Sequence, residues 1–248
     1  MLGIPDVFFG ALLAFAATGA GAAGLLLAGK LGQREHILII AFSAGVMLFS
    51  AEEMAAQSYH SSGAGTMVLG LALGGAALFL LEKLIPHAHA LVNKGEISHQ
   101  GKRAALIAGT ITLHNIPEGF AIASAFAASN PLGWLVSVSI AVQDFPEGLI
   151  VSAPLAAYGV SRKKSVFWGV FSGAVEGAAA VIGYFLIAAT AALTPLALAF
   201  SAGAMVFVTV FELLPDAFSC KDRRLPALSL ALGIISAYAI AVLLAAQQ

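Results

Sequence analysis

The chain has 248 residues, of which 60% are hydrophobic and 10% are charged, and its formal net charge is −1. A soluble domain carries roughly 25% charged residues, so this composition excludes a water-facing globular protein. The sequence contains no basic tract that would indicate a nucleic-acid partner, and its single cysteine, Cys220, excludes an internal disulfide. A mean hydropathy of +0.94 predicts instead a bundle of membrane-spanning α-helices.

Eight apolar segments follow one another along the chain, each long enough to cross a hydrocarbon core of about 30 Å as an α-helix. Segments 1 to 8 cover residues 5–29, 36–58, 65–85, 103–129, 132–159, 165–191, 194–219 and 226–247. No basic residue precedes segment 1, so it is interpreted as a membrane helix and not as a secretory signal. We therefore predict an all-α integral membrane protein with one transmembrane domain over residues 1–248.

The 12 Lys and Arg residues all fall at alternate connections, after segments 1, 3, 5 and 7. The other three connections contain none. Because basic loops remain in the cytoplasm, the longest connection, residues 86–102, is predicted to be cytoplasmic and both termini extracytoplasmic. The short connections and the lack of a targeting extension favour the plasma membrane of a bacterium.

Parts of the chain resemble one another. Residues 43–49 (SAGVMLF) in segment 2 are similar to residues 201–207 (SAGAMVF) in segment 7, although the two segments would cross the membrane in opposite directions. Residues 71–74 and 230–233 both read LALG, in segments 3 and 8. Segments 1–3 and 6–8 are therefore predicted to be inverted repeats around a central pair, segments 4 and 5. Inverted repeats with a binding site near the midplane are a transporter architecture.

Segments 4 and 5 share a polar motif. Residues 114–119 read HNIPEG and residues 143–148 read QDFPEG. Positions i and i+4 lie on one face of a helix, with position i+1 close beside them, so each motif presents three polar side chains together. Each proline also frees the carbonyl four residues earlier, which in a membrane helix indicates a cavity or a bound cation. The candidate ligands are His114, Asn115, Glu118, Gln143, Asp144 and Glu147.

His114 lies about 16 Å from the cytoplasmic end of segment 4, at ~1.5 Å per residue. Glu176 in segment 6 and Met47 in segment 2 lie at a similar distance from the cytoplasmic ends of their segments, and therefore at the same depth. A charge at this depth costs at least ~2.5 kcal/mol, and no Lys or Arg lies there to pair with the carboxylates. Protons or a metal cation must compensate. Imidazole, carboxylate, amide and thioether ligands suit zinc, iron, manganese or cadmium, bound at one site or two.

Five further residues are candidates away from the midplane. His87, His89 and Glu212 near the cytoplasmic side are predicted to receive a metal that leaves the bilayer, and Glu52 and Glu53 to attract cations on the outer side. The alternative for each is a solvated residue at the membrane interface.

The paired His-Asn-X-Pro-Glu-Gly and Gln-Asp-X-Pro-Glu-Gly motifs resemble the metal-binding motif of the ZIP (Zrt/Irt-like) family of metal transporters. The resemblance extends over nearly the whole chain: eight segments, both ends outside and the longest connection after segment 3. It implies a 3+2+3 fold with a binuclear metal centre. By this resemblance the first site would comprise Met47, His114, Glu118, Gln143 and Glu147, and the second Asn115, Asp144 and Glu176 with Glu118 and Glu147 shared.

The resemblance further implies transport of divalent metal into the cytoplasm, by movement of one repeat block against the block containing segments 4 and 5. It also implies an exit route past Glu212, His87 and His89. Members of the family are commonly homodimers, so a homodimer is expected here. Many members carry histidine where this chain has Gln143, so we expect broad selectivity, with zinc, cadmium, iron and manganese as transported substrates. Ligand protonation should make uptake depend on pH.

Two alternatives from other classes remain at this point. One is an intramembrane metalloenzyme, although the sequence lacks a His-Glu-X-X-His motif and has only His114 at the midplane. The other is a proton-coupled cation antiporter that uses the same carboxylates without a transition metal. Neither alternative explains the paired motif as directly as metal transport does.

Overall fold

The computed structural model describes residues 4–27, 32–92 and 99–246, with the side chains of residues 4, 5, 84–92, 99–108, 110 and 111 outside the described part. The described residues contain helices and no strand, as predicted. A 3-10 turn, Ala191–Leu193, precedes α6, and a π-helical segment, Thr209–Leu213, joins α6 to α7. The helices are α1 (Ile4–Gly24), α2 (Gln33–Val92), α3 (His99–Ala128), α4 (Asn130–Ala157), α5 (Arg162–Ala188), α6 (Thr194–Val208), α7 (Leu214–Ala217) and α8 (Arg224–Ala245).

Among the described residues, 6 helical stretches are long and apolar enough to cross a membrane. They are Asp6–Gly24, Gln33–Lys83, Asn130–Ala157, Arg162–Ala188, Ala191–Ala217 and Arg224–Ala245. α3, whose side chains are described continuously only from Thr112 onward, is not among them. The all-helical membrane class predicted from composition is therefore confirmed.

α2 consists of two arms that run in opposite directions. The chain reverses at Gly63, whose φ of 79° and ψ of 176° are not helical and favour glycine. In the first arm, Ser58 Oγ donates a hydrogen bond of 2.7 Å to the carbonyl of Pro195, and Met47 lies beside Thr209, so this arm is antiparallel to α6. In the second arm, residue 70 lies beside residue 199, and the Phe79 ring lies 6.4 Å from that of Phe207. The residue numbers increase together along both helices, so this arm is parallel to α6.

Packing divides the helices into two bundles. The motif bundle comprises α1, α3, α4 and α5, in which α1 packs on α4 and α5, and α3 packs on α4 and α5. The companion bundle comprises α2, α6, α7 and α8, which pack chiefly through α2. Segments 1 and 6 of the sequence therefore pack chiefly with the central pair, and much less with the other segments of their predicted repeats.

The glycines of the two Pro-Glu-Gly motifs are close-packing positions within the motif bundle. A Cβ on Gly119 would collide with the carbonyl oxygen of Glu176, and a Cβ on Gly148 would collide with that of Thr18. Small residues allow helix backbones to approach in this way. Because each glycine directly follows a motif glutamate, these contacts bring the motif carboxylates of α3 and α4 against α5 and α1.

Candidate metal centre

Three motif carboxylates converge between α3 and α4. One oxygen each of Glu118, Asp144 and Glu147 lies within 4.8 Å of the other two. Gln143 Nε2 donates a hydrogen bond of 2.6 Å to Glu118 Oε1. Glu118 and Asp144 are buried, whereas Glu147 is partly exposed. This group offers several oxygen ligands at the spacing of a shared cation.

Glu176 of α5 extends this group toward α1. Its side chain is fully buried and neighbours Asp144 and Asn115. The Thr18 hydroxyl of α1 lies 3.4 Å from Glu176 Oε2 and 3.0 Å from the carbonyl of Ala14, and is positioned to donate to either oxygen. Thr18 is a polar neighbour of the site that the sequence analysis did not identify, because a single threonine in an apolar helix has no distinguishing pattern.

Met47 lies in the companion bundle. It is buried in the first arm of α2, and Thr209 Oγ1 lies 3.8 Å from its sulfur. Thr209 begins the π-helical segment, and such segments occur frequently at functional sites. The thioether and the carboxylates therefore come from different bundles.

A second cluster lies next to the first. One ligand atom each of Glu82, His114 and Glu212 lies within 4.8 Å of the other two, and His114 Nε2 is 2.8 Å from Glu212 Oε1. His114 is also close enough to Glu147 to interact with it electrostatically. His114 thus connects the motif carboxylates to Glu82 of α2 and Glu212 of the π-helical segment.

Buried polar atoms of the motif carboxylates and their neighbours lack hydrogen-bond partners in the described part of the chain. Both side-chain oxygens of Asp144 and both polar atoms of the Asn115 amide are unpartnered, as is one carboxylate oxygen each of Glu118 and Glu176. Buried polar groups are almost always hydrogen-bonded, since leaving them unpaired costs several kcal/mol. Within the described residues no Lys or Arg lies within 4.0 Å of these carboxylates. The arrangement is suited to a bound cation.

The two sides of the centre differ in exposure. Toward Gly63 and the start of α4, the site is covered by side chains that are at least 99% buried, among them Met54, Phe126, Ile140, Leu198 and Met205. On the opposite side, Glu147, Glu82 and Glu212 are partly exposed. The centre is therefore more exposed toward the end of the molecule that carries the basic connections.

The candidates outside the midplane differ in their exposure and in whether they belong to a cluster of ligands. Glu212 lies in the second cluster, whereas Glu52 is exposed, Glu53 is partly exposed and neither is in a cluster. The side chains of His87 and His89 lie outside the described residues. Glu82 was missed by the sequence analysis. Its only sequence signal was a carboxylate next to Lys83 at the end of an apolar segment, which is also typical of an interfacial residue.

Comparison with known proteins gives consistent matches. Residues 86–244, more than half of the chain and including both motifs, match the sequence profile of the family described as ZIP zinc transporter. The zinc transporter GufA of Myxococcus xanthus is 33% identical over 219 residues, which cover 83% of this chain and 85% of that protein. The zinc transporter ZupT of Corynebacterium glutamicum is 31% identical over 259 residues, covering 94% and 97%. The zinc transporter ZIP11 of Xenopus tropicalis is 37% identical over 156 residues, covering 58% and 46%.

These matches decide between the classes considered from the sequence. Proteins of this family are transporters, so the intramembrane enzyme is excluded. The matches to GufA and ZupT extend over most of both chains, and the helices have the length and apolar character of membrane spans. The resemblance inferred from the two motifs is confirmed: this chain belongs to the ZIP family of zinc transporters.

Proposed function

We propose that this protein carries zinc into the cytoplasm through a binuclear centre formed by its two motifs. The observation that carries the proposal is the set of buried carboxylate oxygens of Glu118, Asp144 and Glu176 without hydrogen-bond partners in the described part of the chain. Such atoms are stabilised when a divalent cation binds them. Relatives named zinc transporters support zinc as the substrate.

The two proposed ion sites share the motif glutamates. The first has nitrogen, sulfur and oxygen ligands, which suits a transition metal, and the second has oxygen ligands only. The proposal assigns the thioether of Met47 to the first site and the carboxylate of Glu176 to the second. The proposed first site comprises Met47, His114, Glu118, Gln143 and Glu147, and the second comprises Asn115, Asp144, Glu176, Glu118 and Glu147.

Inward release is supported by the exposure of the centre. Metal held at Glu118 would be nearest to solvent at the partly exposed Glu147, and His114 lies between that group and the pair Glu82 and Glu212. We propose that zinc leaves along this sequence of ligands and then passes the cytoplasmic connection with His87 and His89. The covered side beyond Met54 would be the route from outside, where Glu52 and Glu53 attract cations.

The proposed membrane arrangement has eight crossings in one domain. The two antiparallel arms of α2 count separately, and α3 supplies the remaining crossing. With the basic connections in the cytoplasm, both termini lie on the extracytoplasmic side of a bacterial inner membrane. We also propose a homodimer, as the family resemblance implies, and the inverted-repeat 3+2+3 order along the chain.

The proposed selectivity is broad, with cadmium, iron and manganese carried besides zinc. Gln143 is the reason, because a neutral amide discriminates less among these ions than an imidazole would. Its Nε2 is engaged with Glu118, which leaves the amide oxygen, Oε1, without a partner in the described residues and free to face a metal.

Uptake of radioactive zinc into proteoliposomes tests the proposal. Wild-type protein should show saturable uptake, and Glu118→Ala should abolish it, because Glu118 belongs to both proposed sites. Glu35→Ala is the matched control: it removes an exposed carboxylate from the first turn of α2 and should leave uptake unchanged. Both variants should elute from size-exclusion chromatography like the wild type.

Two results would contradict the proposal. Normal zinc uptake by Glu118→Ala would remove the motif glutamate from the transport site. Metal binding by the wild type without uptake of zinc, cadmium, iron or manganese would instead contradict the assigned transport activity.

A further inference from the structure

A cavity of about 570 Å³ lies at the end of the companion bundle that carries basic residues. It is bounded by the first turns of α2 and α8 and by the connection between α7 and α8. None of the proposed metal ligands lines it. Its described lining includes Arg34, Ile37, Leu38, Ser219, Lys221 and Pro226.

The cavity is surrounded by cations without acidic partners. Arg34 and Lys221 line it, and Arg223 and Arg224 follow directly in the chain; all four are exposed. Within the described residues, none of the four lies within 4.0 Å of a carboxylate. Asp222 also lines the cavity, but its Oδ1 accepts a hydrogen bond of 3.0 Å from the backbone N–H of Arg224 at the start of α8. The cavity therefore has unpaired positive charge available to an anion.

The inner wall of the same cavity is apolar. Ile37 and Pro226 are buried, and Leu38 and Leu225 are partly buried. From this wall, α8 continues with Leu228 and Leu232 exposed on its outer surface, at 62% and 58%. A soluble anion would use only the polar rim, whereas a molecule with a charged head and an apolar chain would use both surfaces.

We propose that this cavity binds the phosphate group of an anionic phospholipid, with an acyl chain along the exposed face of α8. The proposal rests on the cytoplasmic placement of the basic connections given above, which sets the cavity at the level of the inner lipid headgroups. Basic pockets between membrane helices at this level recognise anionic headgroups. Arg34 and Lys221 supply the charge, and the Ser219 hydroxyl supplies a neutral polar group.

The bound lipid would anchor the companion bundle. The walls of the cavity are already joined to one another nearby, because Ser229 Oγ donates a hydrogen bond of 2.6 Å to the carbonyl of Leu38. His36 Nε2 lies 3.3 Å from Asp216 Oδ2, joining α2 to α7. A headgroup held between α2 and α8 would therefore fix this bundle to the inner leaflet without contacting the motif bundle.

Lipid binding to the full-length protein in detergent tests the inference. Dioleoyl-phosphatidylglycerol is titrated against wild type and the double variant Arg34→Gln/Lys221→Gln, with retained lipid measured by mass spectrometry. We expect binding about thirtyfold weaker in the variant, and weak binding of dioleoyl-phosphatidylcholine to both proteins. The matched control is Arg162→Gln/Lys163→Gln, which removes two exposed cations from another basic connection and should bind phosphatidylglycerol like the wild type.

Each other outcome overturns the proposal. Equal weakening in both double variants would mean diffuse attraction to basic loops, with no site in the cavity. Displacement of the lipid by glycerol 1-phosphate at similar concentration would make the cavity a soluble-anion site. Because no zinc movement is measured, these results are independent of the transport test, and unchanged thermal unfolding of the variants would exclude misfolding as their cause.

Discussion

At the residue scale, the two motifs differ most in their first residue. α3 begins its motif with His114, and α4 begins its motif with Gln143. The structure places Gln143 against Glu118, whereas His114 contacts Glu212 in the companion bundle. The first residues of the two motifs therefore have different surroundings, although their positions in the motifs correspond.

We expect Gln143→His to favour zinc over manganese. Imidazole binds zinc more strongly than a neutral amide does, and manganese prefers oxygen ligands. The ratio of kcat/KM for zinc to that for manganese should rise roughly tenfold in proteoliposome uptake. Gln143→Asn is the control, because it keeps an amide and should not raise this ratio. An unchanged ratio in the histidine variant would remove Gln143 from the set of metal ligands.

The sequence predicted some residues of the centre and missed others for a physical reason. Glu118, Asp144 and Glu147 could be singled out because carboxylates in an apolar helix are costly, and the structure brings them together. Their binding of metal stays a prediction. Glu82 and Thr18 could not be singled out, because their surroundings depend on contacts with other helices.

At the element scale, helix contacts made by small residues determine where the carboxylates lie. Hydropathy predicted an all-helical membrane protein, but it carries no information on which helices touch. Close contacts of small residues decide which helices pack together. Gly119 touches the backbone of α5, and a side chain of any size at this position would separate α3 from Glu176. The grouping of α1 and α5 with the motif helices was therefore not predictable from the apolar segments.

We expect Gly119→Ala to destabilise the protein and to impair zinc uptake. The added Cβ collides with the Glu176 carbonyl, and overpacking of this kind costs about 1–3 kcal/mol. Gly109→Ala in the same helix is the matched control, since its added Cβ has no described atom within 4 Å apart from its chain neighbours and its own helix backbone. Thermal unfolding in detergent should show a lower midpoint for Gly119→Ala only, by about 2–12 °C for this cost. Equal midpoints for the two variants would mean that α3 can move away from α5 without cost.

At the scale of the whole molecule, the proposed ligands are divided unequally between the bundles. The motif bundle carries the carboxylates at the centre of the site, and the companion bundle contributes Met47, Glu82 and Glu212. Movement of one bundle along the other would carry the bound metal with the motif helices while its contacts on the companion bundle changed. The centre is covered on one side and partly exposed on the other, which is the exposure that such a carrier would have in one of its two states.

We expect a covalent link between the bundles to stop transport. Ser124 of α3 and Ser201 of α6 face each other with their hydroxyl oxygens 3.2 Å apart, so cysteines at both positions, in a Cys220→Ser background, should form a disulfide on oxidation. Zinc uptake should be lost in the oxidised protein and return on reduction. The control is a pair within the motif bundle, Asp6→Cys with Asn130→Cys, where the native side chains are 3.0 Å apart. Its oxidation should leave uptake intact, because α1 and α4 belong to the same bundle. Full uptake through the oxidised Ser124→Cys/Ser201→Cys protein would show that metal crosses a stationary pair of bundles, as in a channel.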